Sequence, residues 1–153
     1  MTALNKNRFS FALLTATVAS LSGCQLTPKS DADTNWYMRS EITWWEARPE
    51  YRLISNKDKT LLITDFELRP DGQKYHFKIT DKKLSQNRNC GAPERVKREL
   101  LIDSWMPLNC QYSGDTLMPL GQGYYYVPKQ QENLRLEVKL VEGWPVEMRI
   151  RAG

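Results

Sequence analysis

The side chains whose types and spacing could do chemistry are one histidine, a pair of acids two residues apart, three cysteines and a set of aromatic rings. His76 is the only imidazole, so a Ser/His/Asp relay, which needs three-way geometry, would have to be built around it. Around it Tyr75, Phe77 and Ile79 alternate with Lys74, His76, Lys78 and Thr80, the period of a half-buried strand. That parity turns His76 toward solvent, as a surface group rather than a general base. Asp65 and Glu67 would share one strand face about 7 Å apart. Such a pair could mimic the carboxylates of a glycosidase, but charged residues on an exposed strand face are commonplace. No catalytic residue, metal site or cofactor is expected.

The aromatics are the stronger lead. Five tryptophans and seven tyrosines all lie beyond residue 35. Flat π-faces suit the C–H faces of sugar rings, peptide partners and plain cores alike. Trp44, Trp45, Trp105, Tyr112 and Trp144 are the candidate binding residues. An unbroken first strand would turn Trp44 inward with Trp36, and Trp45 outward. A turn near Thr43 would reverse that parity.

At 153 residues the chain has room for one domain. With 41% apolar and 26% charged residues and a mean hydropathy of −0.60, it is neither disordered nor membrane-embedded in composition. The N-terminus reads differently. Lys6 and Arg8 precede an apolar run from Phe9 to Leu21, too short to span a bilayer as a mature helix. Without those two, 20 of the 22 basic residues face 18 acidic ones, a balance of +2 that argues against nucleic acid as a partner.

The run closes on Leu21-Ser22-Gly23-Cys24, which resembles the lipobox of bacterial lipoprotein precursors. The resemblance implies a signal peptide over 1–23, cleavage before Cys24, and lipidation of Cys24 on its sulfur and new amine. Acyl chains anchor by roughly 0.8 kcal/mol per buried methylene. Gln25 stands where an aspartate would retain a lipoprotein at the inner membrane, so an outer-membrane location follows, reached through the N-terminal lipid. Residues 24–35 are the lipidated cysteine and a polar, flexible tether. With Cys24 lipidated, Cys90 and Cys110 remain, and in an oxidising compartment they form one disulfide. No Cys-x-x-Cys is present to suggest redox chemistry.

Residues 36–153 alternate like strands. Trp36, Met38 and Ile42 share one parity, with Tyr37, Arg39 and Glu41 on the other. Leu62, Phe66 and Leu68 oppose Leu61, Ile63, Asp65 and Glu67. Pro70-Asp71-Gly72 is a turn that predicts a hairpin between this strand and the one carrying His76. Leu134 to Leu140 and Val146 to Ile150, joined near Glu142-Gly143, predict a second hairpin. Pro93 to Asp103 is the one candidate helix, although Glu99 to Asp103 could equally be a strand. Tyr124 to Val127 reads as a short edge strand. About seven strands imply a single antiparallel β-sandwich, immunoglobulin-like in class.

Tyr37-Met38-Arg39-Ser40-Glu41-Ile42-Thr43-Trp44-Trp45, the Pro70-Asp71-Gly72 turn, Tyr75-x-Phe77-Lys78-Ile79 and Asn133 to Leu136 together resemble starch-binding modules of the pullulanase type. That resemblance implies the sandwich, a structural Trp45 and glucan-like carbohydrate as ligand. Ser40 to Trp45 lacks the glycines and asparagine of the family's turn, and Asp81-Lys82-Lys83-Leu84 lacks an aromatic the family often places there. The fold therefore carries over more safely than the ligand, and the expectation is a non-catalytic outer-membrane lipoprotein acting as a binding module, with glucan-like carbohydrate and a protein partner ranked equally as ligand. The alternative is an accessory, assembly or inhibitor lipoprotein that binds another envelope protein, through its aromatics or a strand edge.

Overall fold

The computed structural model describes residues 35–85, 87–110 and 123–153. Cys24, most of the tether and Tyr112 lie outside the described residues. Within them the chain is all-β, with two antiparallel sheets packed as a sandwich, two short 3-10 turns and no α-helix. The small sheet holds β1 (Trp36–Arg39), β4 (Tyr75–Asp81), β5 (Asn89–Cys90) and β7 (Tyr124–Tyr126), and β4 pairs with the other three. The large sheet runs, in spatial order, β2 (Ile54–Ser55), β3 (Leu61–Leu68), β8 (Glu132–Val141), β9 (Trp144–Ala152) and β6 (Met106–Pro107).

Alternation explains the large sheet. Leu62, Thr64, Phe66 and Leu68 of β3 are buried while Asp65 and Glu67 are exposed. Leu134, Leu136, Val138 and Leu140 of β8 meet Met148 and Ile150 of β9 in the same core. Each such side chain contributes roughly 1.5–3 kcal/mol by leaving water. The β8–β9 hairpin closes through Glu142 (φ 51) and Gly143 (φ 82), the left-handed pair that matches strand twist in a two-residue loop. A register shift follows: Lys139 pairs with Glu147 but Leu140 with Pro145. Pro145 is therefore buried and Val146, expected inward, is only half-buried.

The expected β3–β4 hairpin does not form. Those strands lie in different sheets, β3 between β2 and β8, and β4 beside β1. The turn itself is as expected: Gly72 takes φ +75, and Asp71 accepts from the Gln73 N–H at 3.0 Å and the Tyr75 hydroxyl at 2.5 Å. It reverses the chain across the core rather than alongside it, so Phe66 and Phe77 face each other with ring centroids 5.4 Å apart.

Three further expectations change. The candidate helix over 93–103 is absent, because Arg95 and Asp103 take positive φ and the segment bonds outward instead. The Tyr125 N–H donates to Arg98 at 2.8 Å, the Leu100 N–H to Tyr125 at 2.7 Å, and the Asp103 N–H to Ile150 at 2.8 Å. The two bonds to Tyr125 also flank β7, so it is not a bare edge. Finally, β1 is buried on both faces, Tyr37 and Arg39 as well as Trp36 and Met38.

The Cys90–Cys110 disulfide is present. Cys90 belongs to β5 of the small sheet, and Cys110 follows β6 of the large one. Gly91 and Asn109 exchange backbone bonds of 3.0 and 2.9 Å beside it. The bond thus ties one sheet to the other across the end of the core. Closing a loop with a sequence separation of 20 stabilises by about 3 kcal/mol in the chain-entropy model. Urea unfolding with and without reductant should show a loss of about that size, and equal midpoints would contradict it.

Candidate functional site

The first strand stops at Ser40 because its backbone is captured by a tight turn. The Ser40 N–H donates to Thr43 Oγ1 at 3.1 Å, and that hydroxyl donates back to the Ser40 carbonyl at 3.0 Å. The Thr43 and Trp45 N–H groups also reach the Ser40 carbonyl, at 3.1 and 3.0 Å. A 3-10 turn over Glu41–Thr43 results. Trp44 (φ 54) and Trp45 (φ 61) then take left-handed conformations in succession. For a residue with a Cβ each costs roughly 1–2 kcal/mol. Trp44 emerges 77% exposed, whereas Trp45 is half-buried.

Two charged groups brace this loop against β4. Arg39 is buried and donates from Nε to Thr80 Oγ1 at 2.7 Å, from Nη1 to the Trp45 carbonyl, and from Nη2 to the Asp81 and Lys82 carbonyls at 3.4 and 3.1 Å. Burial pushes the Arg39 guanidinium below its ordinary value, while Asp81 and Glu46 oppose that. The second brace is Glu41, whose Oε2 accepts from the His76 N–H at 2.6 Å and whose Oε1 lies 2.8 Å from His76 Nδ1. The His76 ring tilts against Tyr125 at 5.9 Å, and Lys74 Nζ sits 4.7 Å from the Tyr125 centroid. His76 is therefore half-buried and partnered, not the solvated surface group its strand parity suggested.

No family model, curated protein or solved structure matches this chain.

Of the other sequence-derived candidates, Trp105 and Trp144 do not join the Trp44–Trp45 loop, and Tyr112 lies outside the described residues. Trp105 is half-buried, with the Arg149 guanidinium 4.3 Å and the Lys139 ammonium 6.0 Å from its ring centroid, on strands of the large sheet. Trp144 is 41% exposed and pairs with exposed Val141 at the tip of the β8–β9 hairpin. Trp36 is core. The Asp65 and Glu67 carboxylates are both engaged: Arg135 bonds Asp65 at 2.8 and 3.2 Å, and Gln131 bonds Glu67 at 2.6 Å. Grooves of about 510, 400 and 370 Å³ border the large sheet, and none of the three has a tryptophan in its lining. Among the described residues no three His, Cys, Asp or Glu side chains converge to hold a metal ion.

Reasoning from sequence missed Arg39 and Glu41 because alternation treats their face as solvated. The only signal available was Ser40 and Thr43 bracketing a turn before two consecutive tryptophans.

Lys78 lies directly opposite Arg39 in the β1–β4 register. Burial first, and the Arg39 charge second, push its amine down to about 8. An unfolded chain holds that proton up to the ordinary lysine range near 10.4. Unfolding then takes up a proton between those values, so stability rises with pH from about 8 toward 10. Above pH 10 Tyr75 and Tyr126, pushed up to about 12 by hydrogen bonding to Asp71 and by burial respectively, act in the opposite sense. Thermal melts across pH 7–10 should climb, and Lys78→Met should flatten that climb; an unchanged slope in the variant would refute the assignment.

Proposed function

We propose that this chain is a non-catalytic outer-membrane lipoprotein, tethered through Cys24, whose immunoglobulin-like sandwich is a binding module that contacts its ligand through Trp44. The observation that carries this reading is a tryptophan ring 77% exposed on a loop that is braced rather than loose. An exposed large ring is costly to leave in water, and rigid presentation lowers the ordering penalty on binding. The Lys6/Arg8, apolar-run and Cys24 pattern supports the membrane tether.

Glucan-like carbohydrate is the ligand class supported by the resemblance of Tyr37 to Trp45 and Tyr75 to Ile79 to starch-binding modules. A protein of the cell envelope is the second reading. It is favoured by the 77% exposure of Trp44 at a tight turn, where a single ring can enter a partner's pocket as a knob. The exposed Val141–Trp144 pair adds a further apolar contact.

Affinity electrophoresis in soluble amylopectin separates the two. Retardation that Trp44→Ala abolishes, with its melting temperature unchanged, supports the glucan. Unretarded mobility, together with Trp44-dependent cross-linking to an envelope protein, supports the second reading. Loss of neither on Trp44→Ala would end the role of that ring. Cys24→Ala should move the protein from the membrane fraction to the periplasmic fraction, and its persistence in membranes would refute the anchor.

A further inference from the structure

We infer that Arg39 is the positioning residue of the tryptophan loop. By gripping the Trp45 carbonyl from within the small sheet, it holds Trp44 in the outward, left-handed conformation. The inference builds on the reading of Trp44 as the contact residue, but its structural half can be tested without a ligand.

An arginine at this place is a poor choice for stability alone. It is buried and stands opposite Lys78, and like charges directly across a strand pair repel. Its hydrogen bonds all go to neutral oxygens, one hydroxyl and three peptide carbonyls. Replacing buried charge with apolar side chains is often neutral or stabilising. What arginine supplies, and an apolar residue or lysine cannot, is a planar fork of donors in fixed directions. Here the fork spans two separate stretches, the Trp45 peptide on one side and the Asp81–Lys82 peptides on the other.

The conformation it holds is the one that would otherwise relax. Among the described residues Trp44 and Trp45 are the only consecutive non-glycine pair with positive φ. Such strain persists only where the surroundings over-determine it. Glu41 fixes the front of the loop through its bonds to His76, but it lies before the strained pair. Arg39 bonds directly to the second member, so it sets the direction in which the Trp44 ring leaves the surface.

The test is fluorine NMR of the full chain labelled with fluorotryptophan, with signals assigned by single Trp→Phe variants and Trp36 by elimination. In Arg39→Lys, which keeps the charge but not the fork, the Trp44 and Trp45 signals should shift or broaden while those of Trp36, Trp105 and Trp144 stay in place. Arg39→Met should do the same more strongly. Where a Trp44-dependent ligand has been found, Arg39→Lys should weaken it about tenfold, the cost of ordering one or two side chains. A change spread evenly over all five signals would make Arg39 merely structural and overturn the proposal, and so would unchanged Trp44 and Trp45 signals in Arg39→Lys. A wild-type protein that binds neither amylopectin nor an envelope protein would sink the function proposed above while leaving the positioning role intact.

Discussion

A guanidinium withdrawn from water must be surrounded by oxygen, and Arg39 meets that demand by drawing three peptide carbonyls and a hydroxyl around itself. Much of the small sheet's outer face follows from this one group. The chain after β1 has to turn back so that the Trp45 carbonyl can reach it. The end of β4 has to bend so that Asp81 and Lys82 can present theirs. Lys78, held opposite in the register, loses proton affinity first because it is buried and second because its neighbour is already charged. Polarity on this face serves to place backbone, whereas on the large sheet most of it, buried Thr64 and Glu137 apart, faces water.

The two sheets accordingly solve different problems. In the large sheet, long alternating strands bury one face and carry opposite charges in pairs on the other, Asp65 with Arg135 and Lys139 with Glu147 toward water and Glu137, itself buried, with Arg149. The small sheet is assembled from short pieces around β4. Segments outside the named strands complete it, as when Leu53 donates to the Trp36 carbonyl at 2.9 Å. Short pieces bring little cooperative stability of their own, which is where a covalent tie between the sheets contributes most.

The legible parts of the sequence were those governed by local period and local turn chemistry. Leu62 to Leu68, Leu134 to Leu140 and the Glu142–Gly143 turn read directly, because side chains two apart share a face and a positive-φ pair closes a hairpin. The pairing of Cys90 with Cys110 followed once Cys24 was set aside as the lipidated residue the lipobox resemblance implies. Pro70-Asp71-Gly72 reads correctly as a turn, but nothing in a turn states whether the returning strand lies beside its predecessor or across the core from it. That choice was made by distant strands, since β2 and β8 occupy both sides of β3. The stretch 93–103 failed for a related reason: Val96 and Leu100 pack on or in the core, but through bonds to β7 and β9 that no local window contains. Trp44 and Trp45 were visible as candidates, whereas the charged side chains that orient them lay on a face that alternation assigns to solvent.

The borders of the large sheet carry a consequence of their own. One border is β6, where Pro107 has no N–H to offer a newcomer. The other is β3 beyond the two-residue β2. If two molecules met there in antiparallel fashion about Phe66, Asp65 of each would stand against Glu67 of the other, and like charges so placed repel. Crowded copies of this protein would therefore be discouraged from knitting into a continuous ribbon.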